Sequence, residues 1–423
     1  MMTLLVADSK GNFYEIPDTK AIGNRGYTKL VELDETPTVN IPSGGVLLYM
    51  PHRIPYGKVH NRVKLIEEFP FPAEGKHPNT LAVRLPPGYI RVLHPAYQSL
   101  PSAPPLPLFS YTAVGMEGDE IKASAILVEE GKTWDPTAYQ SEKKLAKLIR
   151  YRLQQEPKNR LLIHLSRCAL EYHCYNAQNI FYKRWEGGLP ISPYCNANCG
   201  GCLSIGESSL GLHSPQKRIA FVPSKEEILS IALTHLCEGE QPILSFGQGC
   251  EGEPTIYGKL LEGVIRKIRQ TTGNGIIHLN TNGSRPEVIE KLLEAGLDSV
   301  RISINSAKPT TYMDYVKPKN YSWKEVLEAI SIVKDKGGNL YLNLLVFPGV
   351  TDREEEIEAL LDLLGQHPVD MLQLRDLNID PDIYFHLLPP PRSRIIGIDK
   401  FFLQIKREYP ELKIGSFNPY FKR

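Results

Sequence analysis

The stretch "QPILSFGQGCEGEPTIYGKLLEGVIRKIRQTTGNGIIHLNTNGS" (241–284) holds one full period of the pattern that decides the fold. "QPILSFG" (241–247) is a short apolar run closed by glycine. "TIYGKLLEGVIRKIRQ" (255–270) repeats its apolar residues at helical spacing, and "GIIHLNT" (275–281) returns to a strand. Strand, helix and strand in close succession join parallel neighbours, because a parallel pair needs a crossover that carries the chain back to its starting edge.

The period continues in both directions. Strands are expected at "SVRISIN" (299–305), "NLYLNLLVF" (339–347) and "DMLQLRD" (370–376). Helices are expected at "SKEEILSIALTHL" (224–236), "PEVIEKLLEAG" (286–296), "SWKEVLEAISIVKDKG" (322–337) and "DREEEIEALLDLLG" (352–365), several opened by a Ser or Asp cap and closed by Gly. With "GLPISP" (188–193) as the first strand, the region makes six strand–helix steps. Right-handed crossovers then curve the α/β sheet towards a barrel or a doubly wound sheet, and in either case ligands bind at the carboxyl ends of the strands.

The flanking regions read differently. Residues 1–135 form a β-rich module of short runs such as "GGVLLYM", "NTLAVRL", "YIRVLH" and "IKASAILVEE", broken by Pro, Gly and Asn. Its Pro-dense stretch "QSLPSAPPLPLFS" (98–110) reads as a rigid connector. Residues 136–184 form a helical connector. One helix puts Leu145, Leu148, Ile149 and Leu153 on a single face, and a second runs through "RLLIHLSRCALEYHCYNAQN" (160–179). The barrel region takes 185–380, and 381–423 is a C-terminal extension.

Across 423 residues, 42% are hydrophobic and 23% charged, which places the chain among ordinary globular proteins. Lys plus Arg (49) nearly cancel Asp plus Glu (48), so overall charge gives no case for a nucleic-acid or membrane partner. "MMTLLVADSK" meets Asp8 too soon for a signal peptide's apolar core. A cytoplasmic location is expected, with the seven cysteines as thiols or metal ligands.

Three of them, Cys195, Cys199 and Cys202, stand in "SPYCNANCGGCLS" (192–204) with C-x3-C-x2-C spacing, directly after the first strand. Structural zinc takes four ligands, usually in two pairs. Cys168, Cys174, Cys237 and Cys250 supply no second pair, although His213 is near enough to complete a set. "CGGC" read as a redox pair leaves Cys195 without a role. Three thiolates on a four-iron cluster leave one iron open to a cofactor or substrate. The spacing alone leaves cluster and zinc both standing.

Taken in order, this spacing with "GQGCEGEPT" (247–255), "NTNGS" (280–284), "RISIN" (301–305) and "FPGVTDREEE" (347–356) resembles the radical S-adenosylmethionine (SAM) enzymes over roughly residues 185–380. The resemblance implies a partial (β/α)6 TIM-like barrel. It also implies a 4Fe-4S cluster that reductively cleaves SAM to a 5'-deoxyadenosyl radical for hydrogen abstraction, fed by a flavodoxin- or ferredoxin-type electron donor. Cys195, Cys199 and Cys202 are then the iron ligands, with the fourth iron chelated by the methionyl group. Gly252 and Glu253 match the motif that meets the SAM amine. Thr281 and Asn282 lie near the cofactor, Ser303 and Asn305 reach ribose or carboxylate, Arg301 pairs the carboxylate, and the backbone near Val346 packs adenine.

Rival readings accompany these assignments. Glu253-Pro254 also suits a helix start, and "NTNG" a turn. Gly201 departs from the family, which usually has an aromatic or apolar residue before the third cysteine, so Leu203 or a side chain from elsewhere covers the cluster. Arg375 and Asp376 are the candidate substrate contacts, in a loop that Asn378, Asp380 and Asp382 continue. Lys217 and Arg218, in "HSPQKRIAF" (213–221), add to the candidate substrate contacts, with plain surface charge as the rival reading. Cys250 reads as an inert hydrophobe, a radical partner or a ligand. Cys168 and Cys174, six apart on one helix, point 120° away from each other, against an auxiliary cluster there. A non-catalytic iron–sulfur electron carrier or sensor and a zinc-stabilised binding module are the alternatives to an enzyme.

Overall fold

The computed structural model describes residues 1–206 and 208–422. Its larger sheet is parallel and strictly sequential: Arg184–Gly188, Glu240–Phe246, Ile276–Thr281, Ser299–Ile304, Asn339–Val346, Met371–Asp376 and Lys413–Gly415. It curls into a half-barrel. Alternation along the fourth strand shows why: Val300, Ile302 and Ile304 are fully buried under the helices, whereas Arg301 and Ser303 face the concave side.

Helices cover the outside. Three form the connector, α1 (Glu142–Gln155), α2 (Arg160–Leu170) and α3 (Tyr175–Tyr182). The barrel then adds α4 (Lys225–Glu238), α5 (Gly258–Thr271), α6 (Pro286–Glu294), α7 (Pro309–Val316), α8 (Trp323–Asp335) and α9 (Glu354–Gln366), followed by α10 (Pro381–Leu387) and α11 (Ile398–Glu408). Full capping boxes open α4 (Ser224 with Glu227) and α8 (Ser322 with Glu325), each satisfying N–H groups that the first turn leaves without acceptors. α5 buries Leu261, Val264, Ile265 and Ile268 on one face, and each such side chain contributes about 1.5–3 kcal/mol by leaving water.

The N-terminal module is an antiparallel twelve-stranded sheet with a separate two-stranded one. It is fastened over the carboxyl ends of the fifth and sixth barrel strands. Arg53 pairs with Asp380 at 2.8 Å, both side chains being buried. Arg91 donates its backbone N–H to Asp376 and its guanidinium to the Leu377 carbonyl. The His94 imidazole meets the Pro348 carbonyl at 3.1 Å. Gly26 and Gly349, both in the left-handed region, approach so closely that a Cβ on Gly26 would lie 2.3 Å from the Gly349 Cα. The Pro-dense stretch belongs to the same seam: Leu106 N–H donates to Asp380 and the Pro104 carbonyl accepts from Arg53.

Three expectations change. The first strand is Arg184–Gly188 and not 188–193, since Pro190 and Pro193 have no N–H for a ladder. The expected second connector helix is two, because His173 takes φ +50° and Cys174 is an extended N-cap; Cys168 and Cys174 are therefore not on one helix, and the 120° argument lapses. The C-terminal extension adds a seventh parallel strand, and Asn418 reaches across to donate to Glu186 of the first strand at 2.9 Å.

Candidate active site

The three loop cysteines lie beyond the carboxyl end of the first strand. Their loop is held on one side by α7: Asn198 N–H donates to the Val316 carbonyl and Gly200 N–H to the Tyr315 carbonyl, both at 3.0 Å. On the other side it is stitched to the "EGEP" segment. Gly252 N–H donates to the Ser192 carbonyl at 2.7 Å and Glu253 N–H to the Tyr194 carbonyl at 2.8 Å. A Cβ on Gly252 would stand 1.9 Å from the Tyr194 oxygen, so only glycine permits this approach.

Two buried carboxylates organise that junction. Glu253 accepts from Thr255 N–H, the Thr255 and Thr281 hydroxyls and Asn282 N–H, at 2.7–3.0 Å. Thr281 and Asn282 thus hold Glu253, and burial is the main influence raising its carboxyl above the usual range. Glu251, which the sequence reading passed over, accepts four backbone N–H groups: Ile191 and Ser192 on one oxygen, Gly247 and Gln248 on the other. It clamps the ends of the first and second strands together. Burial pushes its carboxyl up to about 7 against the pull of those donors. The signal was present as the second acid of "CEGE", but nothing in the sequence distinguishes a clamp from a surface acid.

Burial pushes the Cys195 thiol up to about 11, with the Glu253 charge next, and Cys199 higher still, with the other two cysteines adding to burial. Arg218 reaches this loop: its guanidinium lies 3.5 Å from Cys202 Sγ and donates to the Ser204 hydroxyl, which sets aside the rival reading of it as surface charge. Gly201 is buried, and a Cβ there would meet the Tyr315 hydroxyl at 3.0 Å and the Asn378 carbonyl at 3.2 Å. Tyr315, from α7, occupies the space that a larger residue at 201 would need, so the covering side chain comes from another element.

Inside the half-barrel a polar layer runs across the strands. Arg301 donates to Gln373 at 3.1 Å and Asn343 to Ser303 at 3.1 Å, while Asn305 donates to the Thr311 carbonyl and the Tyr384 hydroxyl. Arg301 Nε, Asn305 Oδ1 and Asn343 Oδ1 are buried and have no hydrogen-bond partner. Burying such groups unpaired is costly, so a donor and two acceptors on neighbouring strands form a cradle for a polar ligand. Asn343 belongs to this cradle and was missed because it stands inside an apolar strand run. Val346 is fully buried at the end of the fifth strand.

Arg375 and Asp376 line a cavity of about 520 Å³ between the barrel edge and the N-terminal module, with Arg84, Tyr89, Trp134 and His173 among its walls. Arg375 donates from Nε and one Nη to the Ser416 carbonyl. Asp380 and Asp382 do not join them: Asp380 is bound to Arg53, and Asp382 accepts from Tyr97 and Ser99.

The donor set discriminates between metals. A single zinc ion needs its sulfur ligands about 4 Å apart, given Zn–S bonds of about 2.3 Å. Among the described residues, His164, Cys168 and Cys250 are a set whose ligand atoms all lie within 4.8 Å of one another, whereas three thiols on one loop suit a cluster that leaves one iron open. Three partly buried thiols, an adjacent guanidinium and a cradle of unpaired polar atoms fit a cluster with a polar cofactor beside it.

The half-barrel sets these groups at the carboxyl ends of its strands. Residues 189–364 match the Radical SAM superfamily model. An uncharacterized protein of Methanocaldococcus jannaschii is 23% identical over 52% of this chain and 54% of its own length. A GTP 3',8-cyclase of Microcystis aeruginosa is 28% identical over 40% of this chain and 50% of its own. The chain thus spans about half the length of these curated relatives. A radical SAM methyltransferase from Sphaerobacter thermophilus superposes with a TM-score of 0.39 at 13% identity, over 54% of this chain and 64% of that one. The match is to a superfamily of enzymes that use a 4Fe-4S cluster and SAM. Among the described residues no helix is long and apolar enough to cross a membrane.

Proposed function

We propose that this enzyme abstracts a hydrogen atom from an anionic substrate held on the concave side of the half-barrel, beneath the N-terminal module. The observation that carries the reading is the set of unpaired buried atoms, Arg301 Nε, Asn305 Oδ1 and Asn343 Oδ1, on the face that the cysteine loop borders. Cys195, Cys199 and Cys202 hold three irons. When bound, the cluster and SAM supply a 5'-deoxyadenosyl radical as the hydrogen acceptor.

The chain's own residues do the rest. The Glu253 carboxylate keeps a lone pair on the oxygen that accepts from Asn282 N–H, and this oxygen, with the backbone around Gly252, takes the SAM ammonium. Thr281 and Asn282 fix that carboxylate. Arg301 turns Nε to the methionyl carboxylate, Ser303 and Asn305 meet ribose hydroxyls, and the Val346 backbone packs adenine. Arg375, with Asp376 beside it, faces the anionic group of the substrate through its remaining Nη. The N-terminal module closes the mouth over the fifth and sixth strands and excludes water from the radical. The electron comes from a flavodoxin- or ferredoxin-type donor.

The test is anaerobic reconstitution, reduction with dithionite and measurement of 5'-deoxyadenosine. Phosphorylated and carboxylated compounds are then screened for those that raise its yield, starting with GTP, on which the cyclase relatives act by name. Cluster-replete protein that forms no 5'-deoxyadenosine under any condition overturns the reading. Stimulation by neutral compounds alone overturns the anionic assignment.

A further inference from the structure

A second group of metal-ligand side chains lies apart from the loop cysteines. His164 and Cys168 are four residues apart on α2 and therefore share one face of the helix. Cys250 comes from the loop after the second barrel strand, two residues before Gly252. The imidazole Nε2 stands 3.5 Å from Cys168 Sγ, and one ligand atom from each of the three residues lies within 4.8 Å of the others. Both thiols are buried, Cys168 at 2% and Cys250 at 7% exposure, so surface chance does not account for the grouping. Cys174 is alongside, its backbone N–H donating to the Cys168 carbonyl at 3.1 Å.

We propose that His164, Cys168 and Cys250 bind one zinc ion, with Cys174 as the fourth ligand. A tetrahedral site needs ligand atoms separated by roughly 3.3–3.8 Å, given Zn–N and Zn–S bonds of about 2.0 and 2.3 Å. The His164–Cys168 pair already meets that range, the three lie within 4.8 Å of one another, and Cys174 has to turn its thiol inward to join them. Thiolate and imidazole together select zinc over the harder divalent ions. Binding releases the thiol protons to solvent and leaves the imidazole proton on Nδ1. Two thiolates neutralise the ion, so the buried site gains no net charge before Cys174 joins.

The consequence for the enzyme is positional. Zinc fastens the connector helix α2 to the loop carrying Glu251, Gly252 and Glu253. It is a positioning site for SAM and takes no part in the chemistry, and its existence does not depend on the reaction proposed above.

The experiment uses full-length protein stripped with chelator, reconstituted with iron and sulfide, supplied with zinc and desalted. About one zinc per chain is expected beside the cluster iron. The same zinc content is expected in Cys195→Ala/Cys199→Ala/Cys202→Ala. Less than a tenth of it should remain in Cys168→Ser/Cys250→Ser, whose cluster iron persists. His164→Asn, a milder change, should weaken zinc affinity at least tenfold against a competing chelator. Cobalt should give thiolate charge-transfer and tetrahedral visible bands in the wild type and neither in the double serine variant.

Three results overturn the proposal: zinc retained by Cys168→Ser/Cys250→Ser, zinc lost with the loop cysteines, or a Cys168–Cys250 disulfide found by peptide mapping of the anaerobic protein. If the double variant does not fold, the His164→Asn affinity and the cobalt spectrum of the wild type decide.

Discussion

Replacing Arg53 by Met breaks the seam between the N-terminal module and the barrel at its most buried point. Arg53 donates to the Pro51 and Pro104 carbonyls at 3.2 and 3.1 Å and to Asp380 Oδ2 at 2.8 Å. Met refills the volume of the stem but supplies no donor. Asp380 keeps the N–H groups of Leu106 and Asp382, yet it loses the guanidinium while only 1% exposed. Removing one partner of a buried pair costs about 3–5 kcal/mol, and the two surviving backbone donors set the expectation at the low end, about 3 kcal/mol. At 1.4 kcal/mol per tenfold, amide protection in segments 50–54, 104–108 and 376–382 should fall by about a hundredfold in hydrogen exchange.

The defect has a pH signature. Burial already raises the Asp380 carboxyl, and Arg53 is the first influence that lowers it. Without Arg53 the docked-state pKa rises further above the undocked value. Docking then weakens as pH climbs through that interval and recovers below it, where a proton replaces the guanidinium. Asp380→Asn in the Arg53→Met background should restore about 2 kcal/mol, since an amide needs no cation. Protection within twofold of wild type in Arg53→Met, or no recovery in the double variant, would refute the reasoning.

Other changes test the site. Cys199→Ala should abolish both the cluster, read by iron content and visible absorption, and 5'-deoxyadenosine formation; survival of either contradicts the ligand assignment. Gly252→Ala must push the Tyr194 carbonyl away from a Cβ that would sit 1.9 Å from it, and SAM affinity by equilibrium dialysis should drop at least tenfold. Glu251→Ala leaves four buried N–H groups without an acceptor, at about 1–3 kcal/mol each before water refills the space, so a loss below about 2 kcal/mol in denaturant titration argues against the clamp. The Arg160 ion pair and the α4 cap hold Glu227 down to about 2. Its contribution is complete above the ordinary carboxyl range and lost as pH falls towards 2. Glu227→Gln should remove that acid dependence at a cost of about 1 kcal/mol.

Much of the barrel was legible because its residues obey local rules. Ser224 and Ser322 open helices with a glutamate three positions on, and alternation along 299–305 separates core from concave face without any long-range information. The cysteine spacing, "EGEP" and "RISIN" were legible as an ordered set. What escaped depends on partners distant in sequence. Glu251 looks like any acid until Ile191 and Ser192 arrive from 60 and 59 residues away. Arg218 looks exposed until the loop returns it to Cys202, and Asp380 looks like a substrate ligand until Arg53 reaches it across 327 residues. The first strand was misplaced because an apolar run containing two prolines outweighed the quieter "RWEGG".

The bridge from Asn418 to Glu186 closes a loop of 232 residues between the two edges of the half-barrel. Contacts that distant pay their closure entropy before any neighbour rewards it, and they form late. The same bond makes the C-terminal extension a staple: the first and seventh strands, at opposite edges of the sheet, are tied by one buried amide–carboxylate contact.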